Sequence, residues 1–180
     1  RFEAKYSSGA YYSDQYSPGV DNYFISLSDN GFDANGYVQP NSTYFRFDLY
    51  APKYDGQWQE YMALPVGEYL YDADNTYAEW TFSADYSEYV TTNDTDVTAK
   101  LKFESGKLVV TEELTTFIGV VEGETFIVKF SGEHVIANVA PKPMEDRELK
   151  VEKAYAIYYG DKFTPGQADN FYLYLSDKGL

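Results

Sequence analysis

Few residues of this chain combine a reactive type with a suggestive setting. His134, in "SGEHVIANV", is the only histidine among 180 residues. A Ser–His–acid mechanism, or any imidazole metal site, would have to pass through it. It stands in a predicted strand beside a turn, and no G-x-S-x-G elbow accompanies it. That pattern reads as a histidine on a strand surface. Carboxylates are plentiful, with 29 Asp and Glu, and a pair of them hydrolyses glycosides at the right separation. "EDRELKVE" and "TEEL" read instead as solvated charge. Three short segments cluster the oxygens that calcium takes: Asp29, Asp33 and Asn35; Asp72, Asp74 and Asn75; and Asn93, Asp94 and Asp96. None fits an EF-hand, whose position twelve is Glu, because counting from Asp29 that position is Pro40. They read as Asx turns, in which the side chain bonds its own backbone. No catalytic residue, metal or cofactor is expected, and the chain reads as noncatalytic.

Aromatic residues are the better material for function. The chain holds 20 Tyr, 12 Phe and 2 Trp. Aromatic rings stack on the apolar faces of sugars, while neighbouring carboxylates and amides bond the hydroxyls. Trp58, in the polar loop "KYDGQWQEY", has Tyr54, Asp55, Gln57 and Tyr61 around it. These five form the candidate ligand site. The competing reading is that Trp58 packs over a sheet edge. Trp80, in "TYAEWTF", reads as core.

The elements that must position these residues are strands. "NYFISLS" places Tyr23, Ile25 and Leu27 on one face, and Asn22, Phe24, Ser26 and Ser28 on the other. "TYFRFDLY" does the same with Phe45, Phe47 and Leu49 against Tyr44, Arg46, Asp48 and Tyr50. Alternation of this kind marks strands with one buried and one wetter face. Glycine turns at "ESGK", "EGE" and "SGE" space a β-meander over 98–139. "APKPMEDRE", 140–148, reads as a linker, and 83–92 offers at most a short helix. The expectation is one all-β antiparallel domain over 1–180, a two-sheet sandwich or flattened barrel, with a closed lipocalin-like barrel as the alternative. A barrel of that kind would carry a small ligand in an apolar cavity.

Charge narrows the partners. The 29 acidic residues face 14 basic ones, a formal net charge of −15. A chain so acidic, with no basic cluster, repels phosphate backbones and anionic lipid, so nucleic acid is not an expected partner. There is no cysteine, hence no disulfide or thiolate site. No apolar run reaches the length of a membrane helix. The chain begins at Arg1 rather than Met, so any export signal or lipid-bearing cysteine is expected upstream.

One phrase is written twice. "YYSDQYSPGVDNYFISLSDNG", 11–31, returns as "YYGDKFTPGQADNFYLYLSDKG", 158–179, with 11 of 21 paired positions identical and Ala168 inserted. This is an internal repeat. Residues 148–180 therefore read either as the start of a second repeat unit or as a second hairpin of the same domain. A lone hairpin is marginal in water, so the second copy must pair with something.

The phrase "YYxDx[YF][ST]PG…DN[YF]" with "LSDxG", followed by "YFRFDLYAP" and "LPVGEY", resembles tyrosine-rich β-modules of secreted or surface lipoproteins of gut Bacteroidetes. The resemblance covers the first half of the chain and its last thirty residues. It implies export, anchoring at the cell surface through a segment outside this sequence, and glycan handling; it brings no catalytic residues. The functional expectation is a noncatalytic, exported module that binds glycan. The alternatives are a structural spacer that contacts neighbouring repeat modules, or a lipocalin-like carrier.

Overall fold

The computed structural model describes residues 1–178, and every regular element among them is a strand. The first strands are β1 (Phe2–Ala4), β2 (Tyr6–Ser13), β3 (Val20–Ser28), β4 (Thr43–Pro52) and β5 (Gly67–Asp72). Then come β6 (Thr81–Ser83), β7 (Glu88–Thr92), β8 (Val97–Lys102), β9 (Ser105–Val110) and β10 (Thr115–Val121). The last are β11 (Glu124–Phe130), β12 (Val135–Asn138), β13 (Lys153–Gly160) and β14 (Asn170–Ser176). No helix among the described residues is long and apolar enough to cross a membrane. The short helix considered at 83–92 does not form; β7 occupies its second half, where Val90 is buried and pairs opposite Tyr44.

The chain divides into two compact units, Arg1–Lys142 and the residues from Pro143 onward. The boundary falls inside the segment that reads as a linker. In the first unit the strands run β1-β11-β10-β9-β5-β6-β4-β3-β2-β12. One edge of β4 is shared: Leu49 and Tyr50 pair with β6, while 43–46 pair with β7, which carries β8. The sheet therefore forks at β4 and curls over. Its ends, β1 and β12, do not pair with each other, so the barrel is flattened and open. The meander expected from the glycine turns is present as β9-β10-β11. Three pairings are parallel rather than antiparallel: β1 with β11, β2 with β12 and β5 with β6.

The core lies inside the curl. Tyr23, Ile25 and Leu27 of β3 and Phe45, Phe47 and Leu49 of β4 are fully buried, as their period-two spacing requires. They meet Leu108, Phe117 and Val128 from the opposite leaf. Phe47 lies 4.9 Å from Phe117 and 5.3 Å from Phe103, centroid to centroid. Each such ring stabilises the fold by about 1.5–3 kcal/mol relative to exposure. Trp80 packs against this core beside Tyr69.

The second unit is a single hairpin, β13 with β14, forming its own two-stranded sheet. It copies β2 with β3 residue by residue. Tyr6 opposes Ser28 and Lys153 opposes Ser176, and each later pair advances in step. Both hairpins bulge at the same place, after Tyr11 and after Tyr158. Both close the turn with the same carboxylate bond: Gly19 N donates to Asp14 and Gly166 N to Asp161. Each of these glycines takes a positive φ, 85° and 71°, which a side chain would resist.

Candidate functional site: a tyrosine-walled groove

Several outward residues of β3 and β4 do not face open water. Asn22, Ser26, Asp48 and Tyr50 are nearly or fully buried on that face, because loops fold over it. The 29–42 loop covers Tyr44, whose hydroxyl donates to Gly31 O and accepts from Gln39 N. The 73–80 loop brings Tyr77 over Tyr50 at 5.0 Å. Beside Tyr77 is a groove of about 610 Å³, lined also by Tyr16 and Tyr86 from neighbouring turns.

Its aromatic lining comes from Tyr12, Tyr16, Phe24, Tyr50, Tyr77 and Tyr86. Asn22, Asp48, Asp85, Glu88, Lys100 and Lys102 supply the polar groups. The registry explains the arrangement. Phe24 opposes Asp48, Asn22 opposes Tyr50, and Glu88 opposes both Arg46 and Lys102. Tyr12 and Tyr16 meet edge to face at 5.5 Å. Tyr16 and Tyr86 form the rim, 59% and 60% exposed.

The floor is held rigidly. Asn22 Nδ2 donates to Asp48 Oδ1 at 2.7 Å, and Ser83 Oγ donates to Asp48 Oδ2 at 2.7 Å. Burial pushes the Asp48 carboxyl above the usual range, and these donors oppose the shift. The Tyr50 hydroxyl is also raised, first by burial and then by the Asp48 charge. Glu88 is held by Arg46 Nη1 at 3.2 Å and Lys100 Nζ at 3.4 Å. The wall is strained: Asn75, Tyr77 and Trp80 all take positive φ without being glycine. Asp72 Oδ2 holds the loop by accepting from Thr76 N, Thr76 Oγ1 and Tyr77 N. Residues in rare backbone conformations cluster where a side chain must be aimed. Here the aimed side chain is Tyr77.

The five residues proposed from sequence lie elsewhere, along 54–61. Trp58 is half-buried; its Nε1 donates to Ala140 O at 3.3 Å, and Lys142 Nζ lies 5.4 Å from its ring. Tyr54 is half-buried, its amide donating to Asp21 and its hydroxyl accepting from Gln59 Nε2. Asp55, Gln57 and Tyr61 are exposed, and none of the five lines the groove. The groove residues had weaker signals. The Tyr11–Tyr12 pair implies one ring in and one out, and the outward one, Tyr12, is a groove residue. Tyr86 and Asp85 sat in the segment considered for a helix.

His134 is not on a strand. It sits just before β12, with Ser7 Oγ 2.5 Å from Nδ1 and Thr115 Oγ1 2.7 Å from Nε2. Both ring nitrogens meet hydroxyls, so no carboxylate orients the imidazole as a base. The ring clamps β2 to β10, and burial lowers its pKa to about 4. The Asp-rich segments bond their own turns: Asp33 Oδ1 accepts from Asn35 N and Tyr37 N, and Asn93 Oδ1 from Thr95 N and Asp96 N. Among the described residues, no group of three or more His, Asp or Glu is placed to hold a metal ion.

No protein family, curated protein or solved structure matches this chain.

Proposed function

We propose that residues 1–142 form a noncatalytic glycan-binding module of an exported protein, and that the tyrosine-walled groove is its binding site. The observation that carries this reading is the composition of the groove. Six aromatic rings line it beside a hydrogen-bonded floor of carboxylate and amide groups. Such rings stack on the apolar faces of pyranoses. Asp48, Glu88, Lys100 and Lys102 offer acceptors and donors to hydroxyls, and mixed charge favours a neutral or weakly charged sugar. The exposed rings Tyr16 and Tyr86 are the first contacts. The Trp58 loop does not line this groove, and its indole N–H already has a protein partner.

The test is a glycan-array screen of the chain, followed by calorimetric titration of any hit. Tyr16→Ala and Tyr86→Ala should each weaken binding at least tenfold, about 1.4 kcal/mol. Both side chains are exposed, so the fold should be unaffected. A blank array, or a hit that both variants bind as tightly as the parent, overturns the assignment.

A further inference from the structure

The two hairpins share a fold but not a setting. In the first, Tyr11 and Leu27 are buried, at 4% and 0% exposure; their counterparts Tyr158 and Leu175 are each 60% exposed. Asp21 and Asn22 are buried, while Asp169 and Asn170 lie open. The second hairpin thus displays the face that the first one hides.

The residues kept identical say what should cover it. Of the polar positions common to both copies, four reach out of the first hairpin, and all four grip the same segment. Asp14 pairs with Lys53 Nζ. Asp21 Oδ2 accepts from Tyr54 N at 2.8 Å. Asn22 Nδ2 donates to Asp48 Oδ1 and, at 3.2 Å, to Leu49 O. Asp29 Oδ1 accepts from Thr43 N at 2.9 Å. These partners are β4 and its immediate flank. The second copy keeps every one of these groups, as Asp161, Asp169, Asn170 and Asp177. A hairpin needing only to fold would keep its turn and its alternation. The turn bond accounts for keeping Asp161, and Tyr11 gives Asp21 a partner within the first hairpin. The side chains of Asn22 and Asp29 bond only to β4, so their counterparts Asn170 and Asp177 are the groups that a lone hairpin would not need.

We infer that the 153–176 hairpin is a docking element for a strand of the β4 type, supplied by a further module of this same fold. The strand pairs with the edge of β14 that faces away from β13, antiparallel, in the register that β3 uses with β4. Its inward residues cover Leu173 and Leu175, which take the places of Ile25 and Leu27. Its Asp and the following carbonyl meet Asn170. Docking would also rebuild the outer face, because Tyr12, Tyr16 and Phe24 recur there as Tyr159, Phe163 and Tyr172. The docking claim stands apart from the glycan reading and does not require it.

The probe is a peptide of residues 42–55 of this chain, titrated unlabelled into the ¹⁵N-labelled full chain. The expected result is saturable shifts confined to amides 153–177, with Asn170 among the largest. A peptide carrying Asp48→Ala, and a chain carrying Asn170→Ala, should each bind at least tenfold more weakly. Two results overturn the proposal: hairpin amides that stay unmoved by the peptide, or binding that is indifferent to both substitutions. Concentration-dependent self-association through the hairpin, undisturbed by excess peptide, also overturns it and names a second copy of this chain as the occupant instead.

Discussion

The hairpins β2-β3 and β13-β14 present the same strand register, the same bulge and the same turn in two environments. One is the middle of a sheet that forks and curls around a core; the other is a sheet of two strands. The pair separates what a hairpin's sequence specifies by itself from what its neighbours specify. Among the described residues, register, bulge and turn persist with no third strand present, so they are local properties, fixed by alternation and by the Asp–Gly turn bond. Burial does not persist. The difference between Leu27 and Leu175 is entirely a matter of company.

The largest expected effect exploits that contrast. Leu27→Ala should destabilise the first unit by about 2–5 kcal/mol, as for other fully buried leucines. Leu175→Ala should change stability by less than about 0.5 kcal/mol, as for an exposed site. Urea denaturation of each variant measures both. Comparable losses would mean that the second hairpin is covered in solution and would dissolve the contrast.

Acid should come next, and it acts on one copy only. Ser7, which holds His134, is replaced by Ala154 in the second hairpin. The buried His134 has its pKa lowered to about 4, whereas an unfolded histidine titrates near 6.5. As pH falls from about 6.5 toward 4, the unfolded chain takes up a proton that the folded one refuses. Stability therefore drops, by up to about 3 kcal/mol, and levels off below the folded pKa. His134→Gln should remove that part of the pH dependence; denaturation midpoints at pH 7 and pH 4.5 give the comparison. Equal acid sensitivity in wild type and variant would show that the clamp is not the titrating group.

Asn22→Ala should cost about 1–3 kcal/mol, because it strips a donor from the buried Asp48 carboxylate. Asn170→Ala should cost nothing measurable in the free chain, and thermal melts of the two single variants decide it. The smallest effect belongs to the turn. Asp161→Ala removes one exposed bond to Gly166 N and should loosen the second hairpin slightly, seen as faster amide exchange at 164–167 with no change in the first unit.

The fold was legible in the sequence because period-two alternation is written directly into β3 and β4, and because glycine turns mark β9-β10-β11. The repeat was legible as plain identity. The fork at β4 was not: 43–46 pair with one strand and 49–50 with another, and nothing local to "TYFRFDLY" divides it. The parallel pairings of β1 with β11 and β2 with β12 were hidden because their partners lie at distant positions. The groove was half legible. Its rings stood out as composition, but which tyrosines converge depends on loops crossing the outer face, one of them held by Asp72 in a conformation that non-glycine residues rarely take. Trp58 and its neighbours Tyr54, Asp55, Gln57 and Tyr61 stand out as an aromatic in a polar loop, a pattern that does not say where the ring points.

The two parallel ladders at the rims of the large sheet have a kinetic consequence. β1 joins β11 and β2 joins β12, so the first strands of the unit are completed by its last ones. The hairpins β2-β3 and β9-β10-β11 close short loops and can form early. The rim pairings must wait for the whole unit, and such long-range contacts slow folding toward the millisecond-to-second range. A nascent chain would leave β1 without its partner strand until Phe130 has been made, and β2 paired on one edge only until Asn138 has been made.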